Sequence, residues 1–472
     1  MKRDGSGWLS TPSVLIIVLC STTALSQADS GPITPGSQLT LKQAITIALE
    51  FHPRRQEAIS ESGAAGERIG EARSYMLPQV YGTSQYLRST INGIGNTEYY
   101  SLGFVPRISG TNHDQPVSDT SQSADTSNNY LGGLSVSQFL FDFGRHRGLV
   151  SQRRYEAAAA KAQEQMVDLD LIFEVSHSYF DLLAAQQMVR VYEKAVEQRQ
   201  FHLHEAQVKT KAALRPELDV FVTQAELERA QLNLVQAQNA TADAKAQLDN
   251  SMGLSDQAPS YRPADVLTFG KVSDDLDALI AQGIRNRPDL LALEDQARAM
   301  GAQVTQYRSD YFPQADAVGG YNAMSTGLPA VNNFNVGLVI TWPLFNGFLT
   351  THQVEEAHLH EQALEHAIKD LRQRVILQIK TAFLNWQSSV KQIQRAQGAL
   401  AASQVELALA DKRYDAGLTN IVELEDAQRH YTFDDAEYAN ALYNYSLTKA
   451  AVDQATGRLL AYLSGRGANG GK

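Results

Sequence analysis

Two carboxylates, Glu423 and Asp426, stand three residues apart just after the turn Asp415 to Asn420, a spacing that puts both on one face of a helix. The chemistry open to them is electrostatic rather than bond-making. Asn420 with Glu423 forms a capping-box pattern, and carboxylates favour a helix N-terminus in any case. Asp219 occupies the matching place earlier in the chain, after Pro216-Glu217, where proline suits a first helical position and capping is the simpler role. The pairs His202/His204 and His358/His360 invite a metal reading. Residues two apart on a helix point in different directions, however, and no His-Glu-x-x-His occurs, so they read as solvated helix histidines and no metal ligand is expected. Asn92-Gly93-Ile94-Gly95-Asn96 lacks the third glycine of a dinucleotide loop, and neither a nucleophile elbow nor a Gly-Lys-Ser/Thr loop is present. No catalytic residue and no cofactor is expected.

The chain that must position these groups has 472 residues, 43% of them hydrophobic, and a formal charge of −11, which argues against nucleic acid as a partner. Residues 1–28 read as an export signal, with Lys2 and Arg3 before the apolar run Val14 to Cys20 and small residues in Ser26-Gln27-Ala28, predicting cleavage after Ala28. Cys20 is the only cysteine, and Leu19 before it is not the small residue that lipid attachment wants, so the mature protein is expected to carry no thiol. No later stretch has the run of about 18 apolar residues that a membrane helix needs. Any membrane crossing must then be made by β-strands.

The chain also matches itself. Arg73-Ser74-Tyr75-Met76-Leu77-Pro78-Gln79 aligns with Arg308-Ser309-Asp310-Tyr311-Phe312-Pro313-Gln314 at an offset of 235, as do Pro53 with Pro288 and Tyr86 with Tyr321. Further on the offset is 204, pairing Leu140-Phe141-Asp142 with Leu344-Phe345-Asn346, Asp219 with Glu423 and Gly253 with Gly457. The difference of 31 residues falls in the stretch Ser89 to Asn129, rich in Ser, Thr, Asn, Asp and Gly, which reads as a long solvated loop. Gaps confined to one loop point to duplication of a whole structural unit.

Each unit opens with a helix, Leu39 to Arg73 or Asp275 to Arg308, ending before the Pro-Gln pair because proline drives the preceding residue out of the helical region. Strands are expected at 75–88 and 130–141 around the loop 89–129, and at 311–321 and 333–343 around the loop 322–332. In the last of these Phe334, Val336, Leu338, Ile340 and Trp342 alternate with Asn335, Gly337, Val339 and Thr341, and Tyr130, Leu134 and Val136 oppose Ser135 and Ser137 in its counterpart. One greasy face and one small or polar face is the pattern of a strand between lipid and lumen, and equally of an amphipathic strand on a soluble core. Proline-free runs 145–211 and 348–414 then predict rods of roughly 100 Å. The three- and four-residue steps of Leu364, Ile368, Leu371, Val375, Ile379, Phe383 and Trp386 mark a coiled-coil seam. Return helices are expected at 216–252 and 420–456, so the units cover 39–253 and 275–457, with a linker at 254–274 and a tail at 458–472. The fold class is a mixed α/β membrane protein in two tandem repeats. Its four strands cannot close a barrel alone, because open edges in lipid leave backbone groups without partners, so the chain must oligomerise.

This order of elements, given twice, together with Trp342-Pro343-Leu344-Phe345-Asn346-Gly347, Tyr414-Asp415-Ala416-Gly417-Leu418 and Ile421-Val422-Glu423-Leu424, resembles the TolC family of outer-membrane export channels over essentially the whole mature chain. The resemblance implies a homotrimer with a 12-stranded barrel in the outer membrane of a Gram-negative cell, continued by an α-helical barrel through the periplasm. It implies docking to a periplasmic adaptor and to an inner-membrane pump of RND or ABC type, with passive conduction in efflux or type I secretion. Pro78, Pro313, Pro343, Gly144 and Gly347 would mark the passages between barrel and helices. Glu423 and Asp426 would form acidic rings at the periplasmic mouth, with cap and gate both open as roles. Tyr414 matches a position that helps latch that mouth, Asp219 belongs to the same region, and Thr419 stands where some members carry a latching arginine, a place Arg215 could fill from the first half. The rival reading is a secreted coiled-coil structural or adaptor protein with no pore.

Overall fold

A computed structural model describes residues 36–90, 126–254, 260–270, 275–325 and 331–462. The expected signal with Cys20, most of the loop 89–129, and parts of the loop 322–332, the linker and the tail lie outside the described residues. In chain order the elements are β1 (Gln38–Leu39), α1 (Leu41–Phe51), α2 (Pro53–Ser74), β2 (Gln79–Thr90), β3 (Thr126–Phe141), α3 (Arg145–Lys211), α4 (Glu217–Ser251), β4 (Arg262–Pro263), α5 (Leu276–Asn286), α6 (Pro288–Ser309), β5 (Gln314–Ser325), β6 (Val331–Thr341), α7 (Leu349–Asp415), α8 (Ile421–Ala455) and a 3-10 turn, Arg458–Tyr462. The helices of the two halves match in length, at 11, 22, 67 and 35 residues.

The opening helix expected in each half is two helices. Pro53 and Pro288 occupy the first position of α2 and α6, and His52 and Arg287 before them are extended, as a residue preceding proline prefers. The first strand of each pair also begins later than expected, at Gln79 and Gln314, and the second begins earlier, at Thr126 and Val331. Met76 and Leu77 donate N–H to Arg73 O and Ser74 O at 2.9 and 3.0 Å, prolonging the turn, and β2 starts only after Pro78. Gln79 of the Pro-Gln pair donates its amide to Ser74 O at 2.8 Å, satisfying a carbonyl that the end of α2 leaves open.

The long strands form one antiparallel sheet in the order β2-β3-β5-β6. Residues opposite each other share a face, so the register separates two surfaces. One carries Phe334, Tyr321 and Leu134 in one row and Val336, Gly319, Val136 and Val80 in another. The other carries Asn335, Gly320, Ser135 and Tyr81, then Asn333, Asn322, Gly133 and Thr83. Phe334, Val336, Leu338, Ile340 and Trp342 are each more than half exposed, from 57% to 85%. Among the described residues neither β2 nor β6 pairs along its outer edge.

At the passage into α3, Asp142 is buried and accepts the N–H of Gly144 at 3.1 Å and of His146 at 2.7 Å. In the second half Asn346 donates to the Thr350 hydroxyl at 2.7 Å. The Leu-Phe-Asp/Asn motif is thus a helix start. Gly144 (φ 106°) and Gly347 (φ 66°) take the left-handed backbone that aims each rod away from the sheet, and Phe143 stacks on Phe312 at 4.9 Å beside them. Each rod then rises about 100 Å, lined along one half by a 22-residue helix and along the other by its 35-residue return partner. Its core is a series of clusters: Leu169, Ile172, Tyr179 and Leu248 mid-rod in the first half, Val375, Ile379, Trp386 and Tyr445 in the second, and Ala410, Tyr414, Ile421 and Leu424 at the hairpin end. Among the described residues no helix is long and apolar enough to cross a membrane.

Candidate functional site

The turns joining α3 to α4 and α7 to α8 lie side by side at the end of the rods remote from the sheet. Tyr414, in the last turn of α7, is 1% exposed and donates its hydroxyl to Asp219 Oδ2 on α4 at 3.2 Å. Burial, then the neighbouring Asp219 charge, pushes its pKa up to about 12, so the hydroxyl remains a donor throughout the ordinary pH range. Arg215 stacks its guanidinium over the ring 4.4 Å from the centroid, donates to Thr419 O at 3.0 Å and also donates to Tyr414 O. Lys209 also sits 4.8 Å from the ring centroid and pairs with Asp415 at 2.8 Å. Two cations therefore contact one aromatic ring, and both belong to the first half. Thr419 contributes only its carbonyl to this contact, while Arg215 supplies the guanidinium.

Capping alone does not describe Asp219. The N-cap of α4 is Pro216, without a side-chain hydrogen bond, and the Asp219 carboxylate is 5% exposed and turned to α7. Glu423 keeps one half of the capping pattern, since its N–H donates to Asn420 Oδ1 at 3.1 Å. Its carboxylate accepts from the Thr419 hydroxyl and pairs with Arg413 at 3.3 Å. Asp426 pairs with Arg429 on the same helix, and both acids remain about half exposed. The residues Pro78, Pro313, Pro343, Gly144 and Gly347 belong to the sheet end of the rods, roughly 100 Å from this site.

Further groups here escape a reading based on periodicity. Arg199 on α3 donates to Glu226 on α4 at 2.9 Å and to Glu425 on α8, and the three side chains are only 6%, 12% and 4% exposed. Burial pushes the Glu425 carboxyl up and Arg199 opposes it. His202 corrects the expectation of solvated histidines: it is 6% exposed and lies on the same buried stripe as Ala195, Arg199 and Ala206, whereas His204 is exposed. Desolvation lowers the His202 pKa and favours the neutral ring. The available signal was polar residues falling on the apolar stripe of α3, the reverse of a solvated face.

The model of the family described as outer membrane efflux protein matches residues 44–254 and 279–458. The chain belongs to the outer membrane efflux protein family. It is 23% identical to outer membrane protein TolC of Escherichia coli K12 over 467 residues, covering 95% of this chain and 86% of that protein. It is 24% identical to the cation efflux system protein CusC of the same organism over 362 residues, covering 73% and 78%. The fold superposes on the Campylobacter jejuni CmeC outer membrane channel with a TM-score of 0.74, at 17% identity and over 91% and 89% of the two chains. This efflux protein is accordingly a component of the Gram-negative outer membrane, and the family is one of channels rather than of enzymes. The rival reading as a secreted coiled-coil protein without a pore falls.

Proposed function

We propose that three copies of this chain close a 12-stranded barrel and a coaxial helical barrel, forming the passive exit duct of a tripartite efflux or type I secretion system. The observation that carries the reading is the sheet: four strands, two edges unpaired among the described residues, one apolar exposed face and one face whose central rows are mostly Asn, Ser, Thr and Gly. In lipid every edge must be paired, and eight strands from two copies would fill their interior with side chains while twelve leave a lumen. The matched helix lengths of the two halves support tandem repeats. The rods reach about 100 Å beyond the sheet, which suits contact with a periplasmic adaptor and an inner-membrane pump of RND or ABC type.

At the hairpin end, Tyr414, Asp219 and Arg215 hold α7 against the first half, and Glu423 and Asp426 form two acidic rings around the mouth. Detergent-solubilised protein is expected to be a trimer that gives conductance steps in planar bilayers, whereas a soluble monomer without conductance overturns the reading. Glu423→Ala with Asp426→Ala should raise conductance and lower cation preference. Unchanged currents would leave these residues the capping role alone.

A further inference from the structure

The latch and the acidic pair leave unused three groups that meet between α3 and α7. His202 and Glu205, one turn apart on α3, and Asp411 on α7 bring His202 Nδ1, one Glu205 oxygen and one Asp411 oxygen within 4.8 Å of one another. His202 Nδ1, Glu205 Oε2 and Asp411 Oδ1 are each buried and without a hydrogen-bond partner. Nδ1 and Oε2 are 4.0 Å apart, too far for one to satisfy the other. A buried polar atom with no partner bears the whole cost of its desolvation, and three of them converging are a donor set awaiting an acceptor of electron pairs.

The surroundings are arranged for the same purpose. Lys209 approaches the other oxygen of Glu205 at 3.6 Å and is engaged with Asp415 at 2.8 Å and with the Tyr414 ring, so its ammonium steadies Glu205 from outside the cluster. One imidazole and two carboxylates are borderline-to-hard ligands. They suit zinc and its neighbours, whereas magnesium prefers an octahedron of oxygens, and a soft-metal site would need thiols that the chain after Cys20 does not have. Neighbouring ligands on a tetrahedral ion stand about 3.3 Å apart, so side-chain rotations of roughly 1 Å close the three onto an ion, with water as the fourth ligand.

We propose that His202, Glu205 and Asp411 bind a divalent cation of the zinc class that clamps α7 to α3 one helical turn from the Tyr414–Asp219 contact. Asp411 and Tyr414 are three residues apart on α7 and so lie on one face. The ligands come from two helices, and the site is complete only while those helices lie together. By linkage, the ion favours that arrangement over any in which the hairpin ends separate.

The test uses the full chain as purified oligomer, stripped with a chelator and titrated with ZnCl2. One saturable ion per chain is expected, with MgCl2 unable to displace it. His202→Ala and Asp411→Asn should each weaken binding at least tenfold, while Glu423→Gln with Asp426→Asn, which removes the exposed acids, retains it. Binding that survives both cluster variants, or that disappears with the exposed pair instead, overturns the site. So does the lack of saturable binding in the native protein. Should either cluster variant fail to assemble, CoCl2 titration of the native protein decides: a visible absorption band of a low-coordinate nitrogen and oxygen site supports the proposal, and its absence sinks it. In bilayers Zn2+ added on the hairpin side should reduce current through the native protein and spare His202→Ala. That arm rests on the channel reading, so intact zinc binding without any conductance faults the reading and leaves the site standing.

Discussion

The rods α3 and α7 have the same length, 67 residues, yet α3 buries 22 of them and α7 only 10. Their neighbours make the difference. α2, α4, α6 and α8 pack around α3, whereas α7 meets α5, α6 and α8 along one side. The open side of α7 is not polar: Leu359, Leu377, Leu384, Val405 and Leu409 are each 55–64% exposed, and Leu218, Phe221, Leu232 and Val235 form a similar edge on α4. A long helix in a globular domain would wrap such a stripe with its own chain. Here α3 is enclosed by helices of both halves, while α7 and α4 leave apolar edges of the kind that a further copy of the chain covers.

The largest effect should come from attacking that edge. Leu384→Glu with Leu409→Glu places charges where copies would meet and is expected to abolish the trimer, seen as monomer by light scattering, while helical content is retained. A trimer that tolerates both would mean that the edge is simply solvated. Next in size is a break inside the enclosed rod. Arg199→Ala leaves Glu425 buried without its cation beside Glu226, which keeps only Arg229 of its own helix, and this should cost about 3–5 kcal/mol in thermal stability. The sign with pH follows from Glu425, whose folded pKa lies above the ordinary 4.5. Its protonated form favours the folded state, so the damage is fullest at neutral pH and shrinks as pH falls through that raised value. Equal destabilisation at every pH would place the cause elsewhere.

A third, smaller effect tests the contact between the two halves. Tyr414→Phe removes the hydroxyl that Asp219 accepts and leaves the ring and its two cations. A hydrogen bond to a carboxylate is worth about 1.5–3 kcal/mol, so the open probability of the hairpin end should rise by roughly tenfold or more. An unchanged open probability would mean that Arg215 and Lys209 carry the contact alone.

Much of this architecture was legible because it rests on strong local rules. Proline-free runs of 67 residues, period-2 alternation in Phe334 to Trp342 and a Pro-Gln pair at each strand start are patterns that a single sequence displays. Pro53 and Pro288 were equally visible, and the breaks they impose could have been drawn from the same rule that ended the helices at Pro78 and Pro313. The hairpin end was less legible for a physical reason. Whether Asp219 caps its own helix or accepts from Tyr414, and whether His202 meets water or Asp411, depends on which rods lie side by side, and periodicity along one helix carries no record of its neighbour. The clue that did exist was Arg199 and His202 falling in step with Ala195 and Ala206 on the buried stripe.

The smallest expected effect separates the two hairpin turns themselves. Gly417 adopts φ 73° where α7 ends, and Ala213, the residue in the corresponding place after α3, adopts φ 56°. Left-handed backbone costs a residue with a Cβ about 1–2 kcal/mol, whereas glycine adopts it freely but loses more entropy on folding. Ala213→Gly should therefore stabilise by less than about 1 kcal/mol, the relieved strain being partly offset by the looser unfolded chain. Gly417→Ala should destabilise by about 1 kcal/mol, because no atom within 4 Å crowds an added Cβ and only the backbone objects. Differential scanning calorimetry of both variants reads the two signs. If Ala213→Gly destabilises instead, the alanine methyl makes a contact worth more than the strain, and packing then fixes the left-handed residue after the enclosed rod where glycine alone permits it after the open one.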